Sequence, residues 1–282
     1  DASGWASSSE YVAVFDLLSG AIEVPSVQVT ATGVSDPAGN TQAPHAAPAV
    51  FAVDTRAPQN ISITPEVAML SSADVGSIGQ TILLSFDEPM DQSFDPTISF
   101  VGADPLAGPL ARLGALCVWN DDHSCQVVFS LALSAEEYFG LDVLVDGFRD
   151  VAGNTMEPII NDDLFSIDML RPTIVSSNTS SPLLADADVG DDGLVVQVEF
   201  SEPMDTDAIP HLQTTQDNEL DGSIVYHAAG SSWSSANVFE AAFHVVDRGV
   251  EVADIDVEVS VAKDASGNSI APGTLAGTSI RV

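Results

Sequence analysis

Basic residues are almost missing from this chain. Against 42 aspartates and glutamates stand 7 lysines and arginines, and Lys263 is the one lysine, for a formal net charge of −35 over 282 residues. A surface of that sign does not neutralise phosphates, so nucleic acid is excluded as a partner and anionic membrane is disfavoured. Apolar residues make up 45% of the chain, yet no apolar run approaches the roughly 20 residues that cross a bilayer. Direct membrane insertion is therefore not expected. No leader is visible at Asp1, as in an exported chain whose signal was removed or lies outside this stretch.

Other absences narrow the chemistry. The five histidines, His45, His123, His211, His227 and His244, are scattered and form no ligand pair at helical spacing, which gives no support to a zinc site or a catalytic triad. No glycine loop of the phosphate-cradling kind occurs. Acidic pairs are too common to single out a glycosidase couple. The expectation is a protein that is not an enzyme, with no catalytic residues. Aromatics are only 6% of the chain, which argues against an exposed row for stacking on sugars. A carbohydrate-binding or accessory module of a secreted enzyme remains the alternative reading, with polysaccharide as its partner. The only two cysteines, Cys117 and Cys125, flank Trp119. Across a hairpin they suit a local disulfide, which an exported protein favours; two buried free thiols are the other reading.

What the chain has is repetition. Phe86-Asp87-Glu88-Pro89-Met90-Asp91 returns 114 positions later as Phe200-Ser201-Glu202-Pro203-Met204-Asp205. The same offset of 114 joins Trp5, Trp119 and Trp233, and joins the Asp-x-x-Gly-Asn elements at 36–40, 150–154 and 264–268. Residues 56–169 and 170–282 are thus two full copies, and residues 1–55 are the C-terminal half of another. The linkers Thr55-Arg56-Ala57-Pro58 and Met169-Leu170-Arg171-Pro172 end in proline and read as stiff.

Within a copy, short segments alternate with period two: Ile82, Leu84, Phe86; then Val127, Phe129, Leu131; then Leu141, Val143, Val145. Their counterparts in the last copy are Val196, Val198, Phe200; Ala241, Phe243, Val245; and Ile255, Val257, Val259. Alternation means half-buried strands. Seven or so of them, lettered A to G, with turns about every dozen residues, predict an all-β fold of tandem immunoglobulin-like antiparallel β-sandwiches, one per repeat of 114 residues. Only Ser134 to Tyr138 suits a short helical turn. The tryptophans are expected at the core or its edge.

Phe-Ser-Glu-Pro-Met-Asp at 200–205, a Trp before strand E and Asp-x-Ala-Gly-Asn after strand F together resemble the bacterial SbsA-type Ig-like domain, over both full copies and the half. Asp87 and Ser266 depart from the usual pattern. The resemblance implies a structural module outside the cell, in surface layers or large adhesins, and transfers no catalytic residue.

So many carboxylates repel one another and need cations, either bound Ca²⁺ or high ambient salt. In an Ig-like sandwich the B–C and F–G loops share the pole where strand A begins. Asp54, Glu88, Asp91 and Asp150 should then gather at one junction, and Asp168, Glu202, Asp205 and Asp264 at the next, as hard oxygen ligands for Ca²⁺. Turn chemistry and a solvated loop are the plainer readings of the same residues. At the opposite pole the A–B loop carries Asp74 in one copy and the run Asp186-Ala187-Asp188-Val189-Gly190-Asp191-Asp192 in the next. Asp188 is a further Ca²⁺ candidate there, although Gln197 stands where an EF-hand needs glutamate. The expected function is an extracellular, cell-surface spacer array in a surface layer, adhesin or filament, stiffened by Ca²⁺. Residues 1–55 lack strands A to D, so something must complete them: upstream residues of a longer chain, a neighbouring subunit, or re-paired residues 56–114. Head-to-tail donation between subunits would propagate into a filament.

Overall fold

A computed structural model describes residues 3–282 apart from 19, 95, 115, 217–219, 221 and 276–278. The chain is nearly all β. Its first stretch holds β1 (Gly4–Trp5), β2 (Tyr11–Val12), β3 (Glu23–Ala31) and β4 (His45–Asp54). The next holds β5 (Asn60–Pro65), β6 (Met69–Leu70), β7 (Gly76–Phe86), β8 (Thr97–Val101), β9 (Leu110–Arg112), β10 (Val118–Trp119), β11 (Ser124–Leu131), β12 (Glu137–Asp146) and β13 (Ile159–Asp168). The last holds β14 (Ile174–Thr179), β15 (Gly190–Phe200), β16 (His211–Thr214), β17 (Ile224–Tyr226), β18 (Ser232–Ser235), β19 (Val238–Val245), β20 (Val257–Val261) and β21 (Gly273–Thr274).

The alternation explains the layers. In β7, Ile82, Leu84 and Phe86 are buried while Leu83 is 39% exposed. These residues lie opposite Val127 and Cys125 of β11 and face Leu141, Val143 and Val145 of β12 across the core. Burying each such side chain contributes about 1.5–3 kcal/mol. One sheet runs β10-β11-β7-β5 with β9 also on β11, and the other runs β6-β13-β12-β8. The third repeat builds the same two layers, β14-β15-β19-β17 with β18 on β19, and β16-β20-β21. Register follows the repeat. Phe129 faces Gln80 and Arg112, and Phe243 faces Leu194 and Tyr226. The register slips by one at two places, with Leu141 opposite Phe165 but Ile255 opposite Ile280, and Thr97 opposite Asp146 but His211 opposite Val261. Each repeat encloses its own apolar core.

The sandwiches are not purely antiparallel. After Pro65 the first strand of the second repeat crosses to the other sheet, where β6 pairs parallel with β13. Buried Gln80 holds the crossing: its Nε2 donates to the Val67 carbonyl at 2.7 Å and its Oε1 accepts the Val67 N–H at 3.2 Å. In the third repeat Leu183 bridges Arg281 in the same parallel sense. The helical turn expected at Ser134 to Tyr138 does not form, because Glu137 and Tyr138 already pair with Asp168 and Ile167. Three-residue 3-10 turns stand instead at Ser72–Asp74, Pro105–Ala107, Asp186–Asp188 and Ala228–Gly230.

Residues 1–55 are different. β1 pairs with β2, and β3 with β4. The strand expected through Ala13, Phe15 and Leu17 stops at Val12. Its counterpart β11 is held by β7; among the described residues no strand pairs with 13–17. Among the described residues no strand of 1–55 pairs with 56–114, which complete the second repeat.

Candidate metal centres at the repeat junctions

Two loops are zipped together at one pole of each full repeat. Proline 89 or 203 ends the preceding strand because it has no N–H to donate, and the next residue, Met90 or Met204, plunges into the core. Met90 then bridges Asp150, and Met204 bridges Asp264. The Val151 N–H donates to Pro89 at 3.2 Å, and the Ala265 N–H to Pro203 at 3.0 Å. This brings Glu88 beside Asp150, and Glu202 beside Asp264.

The Asp-x-x-Gly-Asn turn supplies the next layer. The backbone N–H and side-chain amide of Asn154 donate to the two oxygens of Asp150 at 2.9 and 2.8 Å; Asn268 does the same to Asp264 at 2.8 and 3.0 Å. Gly153 and Gly267 take φ of 94° and 97°, a conformation side chains disfavour. Both carboxylate oxygens serve the turn, yet each has a second lone-pair direction. The Asn amide also reaches out of its repeat, to the carbonyl of Asp54 at 3.4 Å from Asn154 and to that of Asp168 at 3.1 Å from Asn268. The last residues of β4 and β13 are thereby tied to the following sandwich.

The result is a carboxylate group at each junction. Ligand oxygens of Asp54, Glu88 and Asp150 lie within 4.8 Å of one another, and so do those of Glu137, Asp168 and Glu202. Two oxygens each about 2.4 Å from one Ca²⁺ are at most about 4.8 Å apart, so either trio can share an ion. Glu88 is 6% exposed and its Oε1 has no hydrogen-bond partner among the described residues. Burying an unpaired carboxylate costs several kcal/mol, which a cation or a proton must offset. The protonation equilibria show that stress. Burial, then Asp150 and Asp54, push the Glu88 carboxyl up. Burial, then Asp264, Asp168 and Glu137, push Glu202 up to about 7. Glu137 and Asp264 rise too, chiefly through burial. The exposed turn copy behaves oppositely: bonds from Asn40 hold Asp36 below the usual range.

Not every predicted residue arrives. Asp91 turns away, accepting Arg149 at 2.6 and 2.9 Å and Ser93 at 2.6 Å, while Arg149 lies 4.1 Å over the Phe94 ring. Asp205 accepts the Asp207 N–H within its own loop. Asp188 accepts the Ala185 N–H in a 3-10 turn, and the acidic run around it gathers no ligand trio among the described residues. Glu137 was missed. It starts β12 directly opposite Asp168, as Glu23 in β3 stands opposite Asp54. The offset of 114 links Glu23 to Glu137 and was the available signal. At the first junction Arg56 contacts Asp87 and lies 3.9 Å from Glu23. The third acidic group, Asp121, Asp122 and His123, is spent on its own exposed turn.

Two further arrangements stand apart from the junctions. His227 and His244 stack at 3.9 Å, each Nδ1 on one carboxylate at 2.7 Å, Asp192 and Asp191 respectively. Sequence spacing hid the pair because it forms across the β17–β19 ladder; with Asp191 and Asp192 it gives no three ligand atoms mutually close enough to share one ion among the described residues. Cys117 and Cys125 are disulfide-bonded at the β10–β11 hairpin. Trp119 lies 6.0 Å from Phe86, and Trp233 lies 5.0 Å from Phe239, both at core edges; Trp5 is 58% exposed against Tyr11. No described helix is long and apolar enough to cross a membrane.

No protein-family model and no curated protein matches the chain. Among solved structures it is similar to "Structure of surface layer protein SbsC, domains 1-6", at 14% identity and a TM-score of 0.23, over 73% of this chain and 33% of that one. The chain spans about a third of that structure's length.

Proposed function

We propose that the chain is an extracellular spacer, a cell-surface array of sandwiches whose junctions are clamped by Ca²⁺. The observation that carries this reading is Glu88: a carboxylate 6% exposed, with an oxygen that has no partner among the described residues, held against Asp54 and Asp150. The cation would be held by Asp54, Glu88 and Asp150 at one junction. At the other it would be held by Glu137, Asp168 and Glu202, with Asp264 behind them. Each set draws ligands from two successive repeats, so a bound ion resists bending between them. The role is mechanical, and no side chain is assigned to catalysis. Surface layer, adhesin and filament are the assemblies such a rod would serve, with further copies of the repeat as end-to-end neighbours.

The test is a Ca²⁺ titration at fixed ionic strength, followed by calorimetry and small-angle scattering. An ion that binds only the folded form adds about 2.7 kcal/mol at 100 times its Kd. Melting temperature and scattering length should both rise with Ca²⁺ and fall with chelator. The double variant Glu88→Gln, Glu202→Gln should lose both responses. If the parent chain shows neither response, its charge is merely solvated and the clamp is refuted.

A further inference from the structure

The two full repeats differ beside the tryptophan, and the difference opens a pocket. In the second repeat the space is filled. Phe148 is buried, with its ring 4.8 Å from that of Phe86 and 6.2 Å from Trp119, edge to face. Phe94 lies under Arg149, whose guanidinium is held by Asp91. At the offset of 114, the positions of Phe94, Phe148 and Arg149 are taken by Ala208, Ala262 and Lys263. Two phenyl rings and a guanidinium are gone.

The scaffold has not closed over the gap. The Asp205 N–H donates to the Lys263 carbonyl at 3.0 Å, as the Asp91 N–H does to that of Arg149 at 2.9 Å. Trp233 lies 5.7 Å from Phe200, much as Trp119 lies 6.0 Å from Phe86. Its Nε1 donates to the Ala208 carbonyl at 2.9 Å, which holds the indole back from the gap. β20 runs one residue further than β12, so Val261 forms a wall where the second repeat has Gly147. What remains is a pocket of about 210 Å³. Trp233 and Ala262 line it, with Ile209 and Val261, which are 47% and 59% exposed, and with Asp205 and Lys263.

Size and charge define the occupant. Large-to-small changes leave room for the group they remove, and an apolar cavity of that origin takes up benzene. Sites for drug-sized ligands run to roughly 300–1,000 Å³, so this one takes a single ring. Aromatic pairs prefer the edge-to-face contact that Phe148 makes with Trp119. Lys263 is the one lysine of the chain and makes no ion pair among the described residues, whereas the matching Arg149 is spent on Asp91. Asp205 is turned to its own loop, where it accepts the Asp207 N–H at 3.1 Å. We infer that this pocket binds a small aromatic carboxylate. Its ring takes the place against Trp233 that Phe148 fills one repeat earlier, and its carboxylate pairs with Lys263. None of the lining residues belongs to a carboxylate trio at the junctions, so the site stands apart from the clamp.

The experiment titrates phenylacetate into the isotope-labelled full chain, in chelator so that the clamp plays no part. The readout is the chemical shift of the Trp233 indole N–H and of the Ala208, Val261 and Lys263 amides. These should move together and saturate at millimolar concentration or below, while the amides of Phe94, Phe148 and Arg149 stay still. Benzyl alcohol should bind several-fold more weakly, and benzylamine more weakly again. Lys263→Gln should erase the preference for the carboxylate and leave benzyl alcohol bound as before. Ala262→Phe rebuilds the packing of the second repeat and should abolish binding of all three. Should that variant fail to fold, Ala208→Phe fills the pocket from the other side and must do the same. Four results would each overturn the assignment: no saturable shift at Trp233 with tens of millimolar phenylacetate, benzylamine binding as tightly as phenylacetate, glucose moving the same signals at lower concentration, or a folded Ala262→Phe chain that still binds.

Discussion

Asn268 joins the two full repeats by two bonds of one side chain: its amide donates to the carbonyl of Asp168 at 3.1 Å and its oxygen accepts the Ser72 N–H at 2.8 Å. It is fully buried. Asn268→Ala strips donors from Asp168 and Asp264 and leaves the Ser72 N–H without its acceptor. Stranding buried polar groups costs about 1–3 kcal/mol each. The variant should lose about 2–3 kcal/mol in total, read as an earlier calorimetric transition. Asn154→Ala should lose less, since its bond to Asp54 is 3.4 Å and its oxygen has no donor among the described residues.

Stability of the chelated protein should fall as pH rises. Glu202 ionises near 4.5 when unfolded but at about 7 in the fold. Between those values the folded chain binds more protons than the unfolded one, so each pH step upward disfavours folding until Glu202 is charged in both states. The favourable contribution is complete below pH 4.5. After screening of a part-exposed group, the loss up to pH 7 is about 1–2 kcal/mol. Urea midpoints at pH 5, 6, 7 and 8 in chelator should therefore decline, and Glu202→Gln should flatten the decline. Saturating Ca²⁺ should reverse the slope, because the ion requires the carboxylates deprotonated.

Removing the disulfide should affect one repeat only. Cys117 and Cys125 close a loop with a sequence separation of 8, for which chain entropy gives about 2.5 kcal/mol. The third repeat has Ser231 and Phe239 at the matching positions. Reduction, or Cys117→Ser with Cys125→Ser, should lower the transition of residues 56–169 and leave that of 170–282 in place. Two reactive thiols in the denatured, unreduced parent chain would rule the bridge out.

Arg56 should compete with the cation at the first junction. It sits on Asp87 and Glu23 and lowers the Glu88 carboxyl that burial raises. Arg56→Ala frees Glu23 to join Asp54, Glu88 and Asp150, as Glu137 joins the second group. Like-charged competitors weaken cation binding, so calorimetric titration should show several-fold tighter Ca²⁺ binding at one site. Weaker binding would mean that Arg56 organises the site instead.

Much of this molecule was settled locally. Period-two alternation in 82–86, 127–131 and 141–145 depends on which way each side chain points from an extended backbone, and that is a property of the segment alone. The two-layer β fold and the turn at Asp150 to Asn154 were legible for the same reason. What meets at the junctions was not. Asp91 and Glu88 lie three residues apart in one loop, yet Glu88 turns inward and Asp91 goes to Arg149. Glu137 enters only because its strand pairs with the one that ends at Asp168. His227 and His244 meet across a ladder. These contacts reach across the chain, from 17 residues between His227 and His244 to 58 between Asp91 and Arg149, and the balance between a bonded turn, an ion pair and a shared ligand group is decided by which neighbours the packed core brings within a few ångströms.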